Sequence, residues 1–384
     1  MTSSPISSTP SSSKKKLRLL FFVNGSPSST AAVRSQLFAK RFNDDWEIRF
    51  CYRPLRKWQG IIPFIQTALS FRPQIIYVMD TAYTGVLAGF IAKQILRCKL
   101  IVDSGDVAHE LAKSSGNYSK NQLALIKFIE QLALKNSDRF IVRGSFHQEL
   151  LANQGFHQVD FIPDGVEMEQ AKLVDVQELQ ELKQQLGLEN FLIVGVVGSM
   201  EWSERHQMCY GWDIIEAIAL LKDVPIAALL VGDGNGKAIL ENRAKVLGIS
   251  DRIKFVGRIP YDQLSVYICA IDACISTQSN DVVGMVRTTG KLPLYLAHGR
   301  YVIATDVGEA QKVLPNVGCL LPYEGVRDDL HPQRLAEHLR LLLQEPQRLE
   351  VTVKARQVAK ENFDYDLLGQ KVVTVCQKLI TKNP

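Results

Sequence analysis

Short unbroken apolar runs alternate along this chain with longer segments of helical period. Between residue 17 and about residue 162 the runs are "LRLLFFV", "WEIRFCY", "QIIYVMD", "CKLIVDS", "RFIVR" and "VDFIP". Continuous apolar strands set between helices predict a parallel sheet covered on both faces. The pattern restarts at "FLIVGVVGS" (191–199) and continues through "IAALLVGDG", "RIKFVG", "DACIST", "YVIATD" and "GCLLPY". A polar, charge-rich connector of helical register separates the two series. The chain is therefore read as two doubly wound α/β units, residues 15–165 and 191–363, joined by a linker at 166–190. Residues 364–384 carry Leu367, Leu368, Val372, Val373, Val375 and Leu379 at helical spacing, which predicts a terminal helix, read as returning to the first unit. Two such sheets joined by a hinge place a cleft at the carboxyl ends of their strands, where open α/β sheets bind ligands. No short repeat or heptad run is found, which argues against a solenoid or scaffold.

Composition narrows the class without naming a function. The 384 residues are 46% hydrophobic and 22% charged, an ordinary balance for a chain long enough to build two cores. Residues 1–14 are rich in Ser, Thr and Pro and read as a disordered tail. The apolar run that follows is too short for a signal peptide or a membrane span. Seven cysteines without CxxC or Cys/His spacing point to a reducing, cytoplasmic compartment and to no structural metal. A net charge of +5 with no basic recognition helix gives no case for nucleic acid.

Two stretches carry candidate chemistry. In "LLVGDGNGKAILENRAKVLGI" a strand runs into Gly232, Gly234 and Gly236 and then a helix. Such a turn lets backbone approach a phosphate, and equally serves as a tight connection. In "RTTGKLPLYLAHGRYVIATDVGEA" Lys291 opens a short helix that ends at Gly299. A cation there opposes the helix dipole by about 0.3–1 kcal/mol, a conflict that a bound anion would relieve. The plainer alternative is a solvated lysine on a frayed turn.

The pieces "VGDG", "IKFVGRIPYDQL", "YICAIDACIST" and "GKLPLYLAHGRYVIATDVGEA", in this order over residues 191–363, resemble the C-terminal half of family 4 glycosyltransferases. "LIVDSGD", "FIEQLALKNSDRFIVRGSFHQELLANQG" and "VDFIPDGVE" fit the N-terminal half more loosely. The resemblance implies a GT-B fold of two Rossmann-like domains, and transfer of a sugar from a nucleotide-diphosphate donor to a glycan or lipid-linked acceptor with retention of anomeric configuration. It implies no cofactor and no metal. Lys291 and Arg205 are its catalytic candidates; His109 and Asp106 in "DSGDVAHEL", just past a strand end on the expected cleft, are added as acceptor-side catalytic candidates, although a lone histidine is more often a surface or supporting residue. Gly25, Gly198, Ser199, Gly232, Gly234, Arg287, Thr288, Thr289, Gly290, Leu292 and Leu294 are its donor-binding candidates.

Members of that family usually carry two glutamates eight positions apart, and here those positions hold Val286 and Leu294. A lysine expected after the first strand of the second unit is Tyr210, with Arg205 the nearest replacement cation. The ribose anchor is thus missing, which keeps open a second reading as a degenerate protein that binds nucleotide sugar, glycan or partner enzyme without transfer. A sugar-phosphate or trehalose-type enzyme on the same fold is a third. The segment "RPLRKWQGIIPFIQTALSFRP" sets Arg53, Arg56 and Lys57 beside Trp58, Ile61, Ile62, Phe64 and Ile65. It reads either as a peripheral contact with an anionic membrane surface or as a core-packed helix with a basic end.

Overall fold

The computed structural model describes residues 16–54 and 57–381, without the side chains of residues 57 and 58. The expected Ser/Thr/Pro tail and Arg56 lie outside the described residues. Each of the twelve apolar runs forms a strand: β1 Leu17–Val23, β2 Trp46–Tyr52, β3 Ile75–Met79, β4 Lys99–Ser104, β5 Arg139–Val142, β6 Val159–Phe161, β7 Leu192–Val197, β8 Ile226–Val231, β9 Ile253–Gly257, β10 Ala273–Ser276, β11 Tyr301–Thr305 and β12 Gly318–Leu321. They pair in parallel in two six-stranded sheets, ordered β2-β1-β3-β4-β5-β6 and β12-β11-β10-β7-β8-β9.

The period of two in a strand explains why β1 is apolar without a break from Leu19 to Val23. Leu19, Phe21 and Val23 point into one core, shared with Leu368 and Val372 of the terminal helix Tyr365–Thr381. Leu20 and Phe22 point into the core on the other face, against Phe64 and Ala68. The last helix therefore closes the first sheet. In the connector, the helix Val176–Leu186 begins at an Asp175 cap, whose carboxylate accepts from the Gln177 N–H, and ends at Gly187 (φ 65°). Leu182 and Leu188 are buried in the core of the second sheet, so much of this connector packs as part of that unit. The chain crosses between units at two adjacent places, where Val166 N–H donates to Phe363 O at 2.8 Å and Tyr365 N–H to Val166 O at 3.1 Å.

The strand order reverses between β1 and β3 in the first sheet and between β7 and β10 in the second. Helices leave to opposite faces at such a point, and the crevice beyond the strand ends is where ligands bind. Both crevices open toward the cleft between the units. In the segment read as a membrane contact, Phe64 is buried and stacks on Phe22 at 4.6 Å, and Ile61 and Ile65 pack on the same core. Ile62 is 65% exposed. Among the described residues no helix is long and apolar enough to cross a membrane.

Candidate active site

At the β7/β10 crevice the site is built around Lys291. Its helix, Lys291–Ala297, buries Leu292, Leu296 and Ala297 in the second core. The helix is pinned to the end of β7 by Val197 N–H donating to Tyr295 Oη at 2.7 Å. Lys291 Nζ lies 3.4 Å from the centre of the Tyr210 ring, a cation–π contact. Gly198 (φ 152°) makes room, since a Cβ there would come within 3.0 Å of Lys291 Cε. Burial pushes the Lys291 ammonium below its ordinary value, against the opposing pull of Tyr210. Burial raises the Tyr210 phenol, yet Lys291 and Arg287 together bring it below the usual value. Tyr210, Arg287, Gln278, Glu201 and Asp213 share the walls of a cavity of about 250 Å³.

The glycine turn after β8 makes a tight connection, one of the two roles its composition allows. A Cβ on Gly232 would sit 1.9 Å from Gly198 O, and one on Gly234 would sit 2.6 Å from Met200 O. The loops after β7 and β8 are clasped by Met200 N–H to Asp233 O and Gly236 N–H to Met200 O, at 2.9 and 2.8 Å. The close approach is of one loop to another, and it shapes the rim around Lys291.

Across the cleft, a cavity of about 700 Å³ opens at the ends of β3 and β4, lined by Asp80, Ser104, Asp106, Arg53, Arg143 and the apolar Leu111, Leu125 and Ile126. Its floor is a buried charge network that sequence reasoning missed. Asp103, fully buried, accepts from Arg34 Nε at 3.0 Å, Tyr77 Oη at 3.0 Å and Arg143 Nε at 3.1 Å. Burial raises its carboxyl, but the two guanidiniums hold it below the usual carboxylate range. Arg143 also donates to Asp80 at 3.0 Å. Asp80 adopts a left-handed backbone (φ 67°), and burial raises its carboxyl against the pull of Arg143. Acids and an arginine directly at the ends of apolar strands were the available signal.

The units meet through named polar contacts. Arg287 Nη1 reaches Asp106 Oδ1 at 3.3 Å. Thr288 donates to Arg143 O through its N–H at 3.2 Å and its hydroxyl at 2.6 Å. Ser145 N–H donates to Glu309 at 2.9 Å. Arg205 donates to the carbonyls of Lys113 and Ser114 at 2.8 and 2.9 Å, so it ties the units together and the cation beside Lys291 is Arg287. The Thr288 amide is likewise taken up by the facing unit.

The other candidates fall as follows. His109 pairs with its neighbour Glu110 at 2.9 Å and lines a separate cavity with Glu130 and His147. Gly25 sits in the turn after β1, in the first unit, where a Cβ would strike Ser29. Ser199 is exposed, with its hydroxyl 3.4 Å from Glu201. Thr289 is buried against Ser276 at 3.3 Å, and Gly290 faces open space. Leu292 is core and Leu294 packs on it. Val286 is fully buried, its carbonyl against Gly144. The sequence's one Asp-x-Asp string, Asp364–Tyr365–Asp366, starts the terminal helix, where Asp366 pairs with Arg41.

Residues 192–345 match the family model described as "Glycosyl transferases group 1". The chain is 28% identical over 214 residues to the 2-deoxystreptamine glucosyltransferase of Streptomyces kanamyceticus, covering 54% of each. It is 22% identical over 281 residues to the alpha-monoglucosyldiacylglycerol synthase of Streptococcus pneumoniae, covering 68% of this chain and 60% of that protein. The matched stretch is thus less than two thirds of either relative. Among solved structures, Anabaena Alr3699/HepE in complex with UDP-glucose aligns with a TM-score of 0.74 at 19% identity, covering 94% of this chain and 100% of that one. Two doubly wound parallel sheets facing across a cleft, matched over nearly the whole chain by that structure, make this a GT-B fold.

Proposed function

We propose that this chain is a glycosyltransferase that moves a sugar from a nucleotide-diphosphate sugar to a glycan or lipid-linked acceptor, with retention of configuration. The observation that carries this reading is Lys291: a half-buried ammonium at a helix start, beside Arg287, resting on the face of Tyr210 and with no ion pair among the described residues. Two adjacent cations beside the cleft stabilise the charge that gathers on a departing diphosphate. The acceptor belongs in the 700 Å³ cavity, whose carboxylates Asp80 and Asp106 accept from hydroxyl groups and whose apolar wall suits an aglycone or lipid. HepE was solved with UDP-glucose, and the two curated relatives are named for glucosyl transfer, which favours UDP-glucose as the first donor to test. Seven free cysteines, five of them buried, suit a reducing cytoplasmic site of action. Contact with the inner face of an anionic membrane would use Arg53 and the exposed Ile62.

Val286 and Leu294 favour a second reading, binding without transfer, because no carboxylate stands at either position. A panel of nucleotide sugars, read by protection from thermal unfolding and by release of nucleoside diphosphate, separates the two; a ligand at 100 times its Kd adds about 2.7 kcal/mol. Protection with turnover, both lost in Lys291→Ala, supports the enzyme. Protection without turnover on any acceptor supports the binder, and no protection by any donor rejects both.

A further inference from the structure

Resting on that donor reading, we infer that Arg287 has two alternative partners: Asp106 of the facing unit while the donor site is empty, and the donor diphosphate once it is filled. Arg287 lines the 250 Å³ cavity with Tyr210, and Asp106 lines the 700 Å³ cavity with Asp80. Their 3.3 Å ion pair is therefore a bridge between the two binding spaces. The two side chains are 33% and 32% exposed, and ion pairs this open to water hold weakly.

Three features show that the exchange needs only a side-chain movement. The backbone at Arg287 is fixed, because its carbonyl accepts from Gln278 Nε2 at 3.1 Å and the next residue, Thr288, is bound twice to Arg143 O. The guanidinium is under-used, because its Nε is buried without a hydrogen-bond partner among the described residues. A guanidinium offers five N–H donors in a fixed fork, which suits an anion with several oxygens better than one carboxylate oxygen. Lys291 meanwhile rests against the Tyr210 ring, so a diphosphate entering here finds two cations, neither held by a strong counter-ion. As Arg287 turns to it, Asp106 is released, and the acceptor cavity gains a free carboxylate only when donor is in place.

The test measures calorimetric affinity for whichever of UDP, ADP, GDP and dTDP binds the unmodified protein most tightly. Asp106→Asn removes the competitor and should tighten the nucleotide about two- to fivefold, the range expected of a half-exposed pair, although Asp106 lies on the opposite unit. Arg287→Ala should weaken it by roughly tenfold or more, the loss of one charged hydrogen-bonding partner. The double variant should match Arg287→Ala, since Asp106 acts through Arg287. Unchanged or weakened binding in Asp106→Asn overturns the exchange, as does an equal tightening on the Arg287→Ala background, which would be a general charge effect. Melting curves check each fold, with Arg287→Gln replacing the alanine variant if that one is unstable. If none of the four nucleotides binds the unmodified protein, the donor reading falls together with the exchange; if one binds and the pattern fails, the exchange alone falls.

Discussion

Asp213 stands in the first turn of the helix Trp212–Ala219, where the helix dipole favours a carboxylate. It is nonetheless only 7% exposed. Burial lifts its pKa from 3.8 to about 7, with Arg327 opposing and Asp328, Glu216 and Asp329 adding to the rise. In the folded protein the group is thus neutral up to about pH 7, whereas in the unfolded chain it ionises near pH 4. Its contribution to stability is fully present below the unfolded value and is lost as pH rises through the folded one. A gap of about three units is worth roughly 4 kcal/mol when fully expressed, of which about 3 kcal/mol falls between pH 5 and pH 8.5. Asp213→Asn keeps the shape and removes the proton. Urea unfolding followed by tryptophan fluorescence is a suitable assay, because Trp202 and Trp212 pack 5.6 Å apart beside this residue. The stability of the Asn variant relative to the unmodified protein should climb by about 3 kcal/mol from pH 5 to pH 8.5, with every other titrating group cancelling in the difference. A pH-independent difference, or one that grows toward acid, would refute the assignment. A second readout follows from the cavity Asp213 shares with Tyr210 and Arg287: ionised, it repels a diphosphate, so nucleotide affinity should fall above pH 7 in the unmodified protein and stay level in the variant.

Arg34→Ala should cost about 3–5 kcal/mol, because it leaves fully buried Asp103 short of one counter-charge and strips donors from Ile162 O and Pro163 O; a urea midpoint within error of the unmodified protein would contradict this. Leu294→Glu restores an acceptor for ribose hydroxyls and should tighten nucleoside diphosphate by roughly tenfold, one charged hydrogen bond, with calorimetry showing weaker binding as the contrary result. Gly198→Ala forces a Cβ against Lys291 Cε from a left-handed backbone, and should lower nucleotide affinity while leaving the first unit's unfolding unchanged; affinity equal to that of the unmodified protein would show that Lys291 does not need this space.

The central strands, such as β3 and β8, were legible because each is buried on both faces, so that burial writes itself as an unbroken apolar run, whereas the edge strand β2 alternates with exposed Glu47 and Arg49. Their order was less so. That β1 pairs with both β2 and β3, and β7 with both β8 and β10, depends on contacts distant in sequence, and these pairings set the crevices. The charge network was invisible for a related reason. Arg34 and Asp103 are 69 positions apart, and an acid at the end of an apolar strand reads as the place where the strand meets water until the arginine that buries it is seen. Arg205 misled in the opposite sense: proximity in sequence to the expected lysine suggested a phosphate cation, whereas its side chain reaches the last carbonyls of the helix Ala108–Ser115. Lys291 stood out because a cation at a helix start is a local conflict, and local conflicts survive in a one-dimensional reading.

The missing glutamates and the bridge across the cleft are two sides of one electrostatic fact. With Val286 buried under Gly144 and Leu294 packed on the core, neither position can answer the positive charge of Arg287 and Lys291. Asp213, which shares a cavity with Arg287, is kept neutral to about pH 7 by its own burial. Among the described residues, no ion pair within the second unit engages either cation. Cations held partly out of water without a partner are costly, and each has found a different relief. Lys291 lies on the face of Tyr210, at the position where a second lysine was expected, so the repulsion that lysine would have supplied becomes an attraction. Arg287 reaches over the cleft to Asp106. Restoring a carboxylate with Leu294→Glu should therefore act on more than the ribose: a new anion near Arg287 would compete with Asp106, and the tightening of nucleotide produced by Asp106→Asn should shrink in the Leu294→Glu background. If the two effects on nucleotide affinity multiply independently, the carboxylate at 294 and the bridge do not share a cation, and the link drawn between them is wrong.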